Sequence, residues 1–225
     1  MESNAMDFYC ERAGPGLFAE PLNTLTNLSF LIAAWRAWVL SRHLHLLTAS
    51  VWLLIALLLS IGIGSTLYHT FATGWARLLD LVPILLFQLC FLWVYLRTVA
   101  GIGLGTAFIS TLSYYAMLHY AQGFPHLLNG SLMYAPALIF LIGLGLFHYL
   151  HFKSQNFLLA ATGVFILSLF FRTIDQAICP FVPTGTHFLW HVLNGVVLYL
   201  SLRALLFSRA ESYGDLSLLA LSHRM

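Results

Sequence analysis

The chain has 225 residues, 60% of them hydrophobic and only 8% charged, with a formal net charge of +2 and a mean hydropathy of +0.85. A soluble domain carries about 25% charged residues, so a chain this apolar cannot cover its surface with polar groups, and a water-soluble globular protein is excluded. The small net charge gives no reason to expect a nucleic-acid partner.

A membrane-crossing helix needs roughly 20 mainly apolar residues, and the sequence repeats that pattern. In chain order, seven spans are predicted: 22–40, 47–68, 77–98, 103–120, 127–152, 157–178 and 186–207. The breaks carry turn and helix-ending residues: "ATGW", "AGIG", "QGFPH", "HFKSQ" and "CPFVPTG". Pro83 and Pro136 fall inside spans, where neighbouring helices can re-satisfy the freed carbonyl groups. The first residues, "MESNAMDFYCERAG", are polar and acidic, unlike a signal peptide. The expected fold is an all-α membrane protein, a single seven-transmembrane bundle over residues 1–225. Residues 1–21 form an extracytoplasmic segment and 208–225 a cytoplasmic tail.

Basic residues orient the bundle. With the amino end outside, the inner side receives Arg42, Arg97, Lys153, Arg203, Arg209 and Arg224, whereas the outer side has Arg12, Arg77 and Arg172. That bias follows the positive-inside rule. A prokaryotic source would place the protein in the bacterial inner membrane; otherwise the endoplasmic reticulum or Golgi membrane is expected.

Polar groups inside spans are costly and mark sites by default. Ser65 and His69 close the second span, Asp80 lies one turn into the third, Arg172 and Asp175 end the sixth, and His187 and His191 open the seventh. Under this topology all lie at the outer level. Residues four apart share a helix face, so His187 and His191 can address one atom, and Ser65 and His69 share a face too. Three imidazoles with a fourth position open is a catalytic zinc arrangement, in which the metal activates water and polarises a carbonyl and a carboxylate such as Asp80 moves the proton. The competing reading is a set of hydrogen-bonded or interfacial histidines.

The pieces "YCER", "EPLNTLTNLSF", "STLYHTF" followed by Asp80, "FRTID" and "GTHFLWHVLNG" run through nearly the whole chain. In that order the sequence resembles the alkaline ceramidases, within the seven-span hydrolases that include the adiponectin and progestin receptors. The resemblance implies that His69, His187 and His191 bind zinc, that Asp80 handles protons and that Ser65 helps hold the reacting oxygen. The implied reaction is hydrolysis of the ceramide amide to sphingosine and a fatty acid, with the lipid substrate entering from the bilayer. It also implies calcium near the amino end, with Glu11 and Glu20 as ligands. The chain is shorter between them than the family pattern, Asp7 is one residue out of register, and Ala13 falls where an amide would be wanted. Read from the residues alone, this is a solvated acidic segment.

The cysteines divide the same way. Cys90 reads as a small buried hydrophobe. Cys10 and Cys179 both fall outside, either as a bridge or as two free thiols; the resemblance at "YCER" and "AICPF" favours the bridge. Glu20, Asn23 and Asn27 share one face of the first helix, expected to turn inward. His148 and His151 read as interfacial, His119 and His126 as structural or path-lining, and Arg172 with Asp175 as a buried ion pair. Two rivals to the hydrolase remain: a receptor with a structural zinc, and a transporter, which would need polar groups across the whole membrane depth. Another lipid amide is the alternative substrate. Oligomeric state is not legible.

Overall fold

The computed structural model describes residues 9–14, 16–152 and 156–212. Asp7, Lys153, Arg224 and positions 213–225 of the expected tail lie outside the described residues. The described residues form helices and no strands: α1 (Pro21–Thr26), α2 (Leu28–His43), α3 (Ala49–Phe71), α4 (Gly74–Thr98), α5 (Leu104–Gln122), a 3-10 segment (Leu127–Tyr134), α6 (Ala135–His151), α7 (Phe157–Ile178) and α8 (His187–Ser212).

Helix occupies every expected span. Among the described residues, five stretches are long and apolar enough to cross a membrane: α3, α4, α7, α8 and the 25-residue stretch Leu127–His151 that ends in α6. By contrast, α2 covers only 16 residues, and α5 interleaves Ser, Thr, Tyr and His along its 19. The fifth expected span is not one regular helix. Leu128, Asn129 and Gly130 adopt left-handed backbone angles, so regular α6 starts at Ala135. Pro136 therefore sits in a first turn, where its missing N–H costs nothing, rather than inside a helix as expected.

Packing follows the sequence breaks. Ala72 ends α3 in the left-handed region (φ 49°, ψ 40°), with its N–H on the Tyr68 carbonyl, and α4 begins two residues later. The two helices pack closely along their length. At Gly64 an added Cβ would overlap the Leu79 carbonyl; only glycine permits that approach, which brings Ser65 on α3 beside Asp80 on α4.

An apolar core with Leu54, Leu58, Tyr95, Leu202, Leu205 and Phe207 fills the end of the bundle away from Ser65 and His69. Of the five membrane-length stretches, α8 is the most buried and the least apolar, as suits a helix surrounded by protein rather than lipid. Large apolar side chains face outward instead, among them Trp35, Trp52, Phe108, Ile139 and Phe170, a surface that fits hydrocarbon. His148, expected at the interface, is buried in the core end. Its Nδ1 contacts the Tyr95 hydroxyl at 2.9 Å and the Ser208 hydroxyl at 3.4 Å, which satisfies a ring that could not otherwise be buried cheaply.

Cys10 and Cys179 form a disulfide, with Cα atoms 5.4 Å apart and a sequence separation of 169. It pins the amino-terminal segment to the end of α7. Both thiols should resist alkylation until a reductant is added, and free labelling of the native, unreduced protein would show the bond to be absent. Cys10→Ser should destabilise the fold by about 2–5 kcal/mol, the usual range for removing a native bridge.

Candidate functional site

The last turns of α3 carry Ser65 and His69; the first turns of α8 carry His187 and His191. Each pair is spaced by four and shares a face. The ligand-capable atoms of His69, His187 and His191 lie within 4.8 Å of one another, and the three residues are 1%, 2% and 2% exposed.

Neighbouring segments set the rings. His69 Nδ1 donates to Glu20 Oε2 at 2.5 Å. His191 Nδ1 contacts Thr26 Oγ1 at 3.1 Å; that hydroxyl already gives its hydrogen to the Leu22 carbonyl at 2.7 Å, so the imidazole N–H is the donor. With Nδ1 engaged in both rings, Nε2 is left to accept a metal. His187 stacks against Tyr9 at 3.8 Å between centroids, and its buried Nδ1 has no protein partner. Burial holds the Tyr9 phenol well above its ordinary pKa, so it stays protonated.

The α8 terminus is held by a group from α7. Asp175 Oδ1 accepts from the Thr186 N–H at 2.7 Å and the His187 N–H at 2.9 Å, and Oδ2 accepts from the Cys10 N–H at 3.1 Å. A carboxylate is stabilised at the positive end of a helix, and here it fixes where His187 begins. Gly185 (φ +60°) makes the approach possible, since a Cβ there would run into the Asp175 carboxylate. The expected Arg172–Asp175 ion pair is therefore corrected: the Asp175 carboxylate is taken up by these three amides. Arg172 instead donates to Asn129 O at 2.8 Å and Ser131 Oγ at 2.9 Å, and its guanidinium lies over the Tyr134 and Trp190 rings at 5.0 and 5.6 Å.

A cavity of about 470 Å³ opens beside the histidines, with Ser65, Asp80, His187, His191 and Arg172 in its wall. The Ser65 hydroxyl stands next to the Asp80 carboxylate. His69 is not in the wall; it lies behind, toward Glu20. His119 and His126 do not line the cavity either; both are exposed. Two smaller apolar hollows continue inward, the first sharing Phe30, Ile61, Ile84, Tyr134 and Trp190 with the cavity and the second reaching Leu144 and Ser201.

The donor set fits zinc: three imidazoles, two with their far nitrogen oriented by a neighbour as metal-binding histidines usually are, and one buried nitrogen otherwise orphaned. Glu11 and Glu20 do not fit calcium in the same way. Glu11 accepts the Leu22 and Asn23 amides at 2.6 and 2.8 Å, capping α1. Glu20, 2% exposed, accepts from Arg12 Nε at 2.5 Å, Asn23 Nδ2 at 3.1 Å and His69. Burial raises its pKa, but His69, Arg12 and Asn23 together hold it below the ordinary carboxylate value. A guanidinium thus faces the carboxylate that a calcium ion would need, and calcium wants six to eight hard oxygens.

Arg12, Tyr9 and Thr26 were not singled out from sequence. Arg12 stands in "YCER", yet no spacing rule brings residue 12 against residue 69. Asn23 and Asn27 are fully buried with Glu20, so the inward face of the first helix lies where its spacing put it.

Fold and site define a helical, multi-pass membrane protein with a buried three-histidine centre, a neighbouring carboxylate and a cavity whose wall mixes polar and apolar side chains. The family model described as Ceramidase matches residues 9–219, and the chain belongs to the ceramidase family. That family comprises lipid amide hydrolases. Among curated proteins none matches.

Proposed function

We propose that the protein is a zinc-dependent amide hydrolase that cleaves ceramide to sphingosine and a free fatty acid within the membrane. The observation that carries this reading is the convergence of His69, His187 and His191 at a cavity whose wall also holds Ser65 and Asp80. In this reading seven helices cross the bilayer, with the amino end outside and the site near the outer interface. Bound by three histidines, zinc supplies Lewis acidity, lowering the pKa of water to about 7 and polarising a carbonyl.

The chain's own residues do the rest. His187 and His191 face the cavity directly, and His69 completes the set from behind. Asp80 takes the proton from the attacking water and returns it to the leaving nitrogen, as a general base and then acid. Ser65 Oγ donates to the oxygen that gains charge. The apolar hollows toward Leu144 and Ser201 give a hydrocarbon chain somewhere to lie without crossing water, and exposed apolar side chains around the bundle suit entry from lipid.

Purified protein incubated with a ceramide series should release fatty acid, lose nearly all release on treatment with a zinc chelator, and regain it when zinc is returned. Zinc-loaded protein inert on every ceramide would move the assignment to another lipid amide or to a receptor with a structural metal.

A further inference from the structure

Arg12 is only 6% exposed, and arginine does not lose its proton in a protein. A buried charge is costly unless it is paired and hydrogen-bonded. Here the pairing is specific. Nε donates to Glu20 Oε1 at 2.5 Å, Nη2 donates to the His69 carbonyl at 3.0 Å, and Nη1 lies 3.5 Å from the carbonyls of Gly14 and Gly16. One guanidinium thereby touches the carboxylate that holds the His69 ring, the backbone of His69 itself, and the amino-terminal loop that the Cys10 bridge anchors.

Glu20 cannot hold that place alone. Its second oxygen takes His69 Nδ1 and Asn23 Nδ2, and without a cation on the first it would be a buried, half-paired anion. Removing one partner of a buried ion pair leaves an uncompensated charge and is strongly destabilising. We propose that Arg12 is a positioning residue whose guanidinium acts as a built-in cation, clamping Glu20 onto the His69 ring so that the amino-terminal segment needs no calcium to do so. The inference rests on the zinc-hydrolase reading above. A carboxylate on the far nitrogen of a metal-bound imidazole fixes its tautomer and raises its basicity, and losing such a partner usually costs about 10- to 100-fold in metal affinity. Arg12 acts one contact further out, through Glu20, and its loss should register within that range.

The test is zinc affinity, measured by chelator competition on the full chain in detergent for wild type, Arg12→Lys and Arg12→Gln, each with and without added calcium. Size-exclusion behaviour and blocked Cys10 and Cys179 thiols confirm folding. Lysine keeps the charge but not the fork, and glutamine keeps a donor but no charge. The expected order is wild type tightest, Arg12→Lys intermediate and Arg12→Gln weakest, with wild type indifferent to calcium. Wild-type affinity in folded Arg12→Gln, or Arg12→Lys as weak as Arg12→Gln, would overturn the role of the charge. Calcium-dependent zinc binding or thermal stabilisation in wild type would overturn it as well, and that arm decides even if Arg12→Gln does not accumulate. Wild type that binds no zinc at all would overturn the hydrolase reading beneath it, a result distinct from the other two.

Discussion

Asp80→Asn should keep its zinc and lose about 10²- to 10⁴-fold of its amide hydrolysis, the span associated with general acid–base steps. The upper end is expected because one group serves two transfers, from the attacking water and then to the departing nitrogen. Asparagine has nearly the shape of aspartate and can still meet the Ser65 hydroxyl, so the close approach of α3 and α4 at Gly64 should survive. It is not among the three clustered histidines, so metal content should be unchanged. What it cannot do is accept and return a proton. Zinc content and fatty-acid release measured on the same preparation check this; full activity in Asp80→Asn would remove the residue from the proposed mechanism.

His187→Ala should differ by losing both metal and activity. Wild type is expected to carry about one zinc per chain, as a single three-histidine site requires. The variant keeps only His69 and His191, one on α3 and one on α8, and should retain almost none after desalting. His187 is the informative choice because its ring makes no hydrogen bond to protein through Nδ1, so truncation removes a ligand without breaking a network. His69→Ala should lose zinc too, but it also strands the Glu20 carboxylate, and a fall in stability should accompany it. Elemental analysis of metal-replete preparations decides the matter: equal zinc in wild type and His187→Ala would sink the proposed site.

Much of this arrangement was legible beforehand, for reasons that can be named. Apolar runs of membrane length separated by Gly, Pro and polar breaks give helices almost independently of their neighbours, and helix occupies each expected position. The spacing of Ser65 with His69 and of His187 with His191 is a property of one helix, so a shared face could be read from number alone. That His69 closes on His187 and His191 agrees with their common position at matching helix ends.

Other features depended on what lies across a gap. Arg172 and Asp175 look like an ion pair because they sit three apart, yet the α8 amides claim Asp175, and the 3-10 segment claims Arg172. His148 looked interfacial by its place at a helix end, yet Tyr95 and Ser208 close over it. Glu11 and Glu20 looked like calcium ligands by resemblance, but backbone amides and Arg12 already take their oxygens.

By itself the sequence determined the helical elements, the face each polar residue occupies on its own helix and the chemical type of every candidate ligand, because all three follow from local periodicity and side-chain chemistry. The tertiary structure alone decided which partner each buried polar group has: Glu20 and Arg12 for His69, Thr26 for His191, the α8 terminus for Asp175. Periodicity leaves the rotation and approach of one helix against the next open. Those are set by close packing, by a backbone contact that only Gly64 permits, and by the need to satisfy each buried charge.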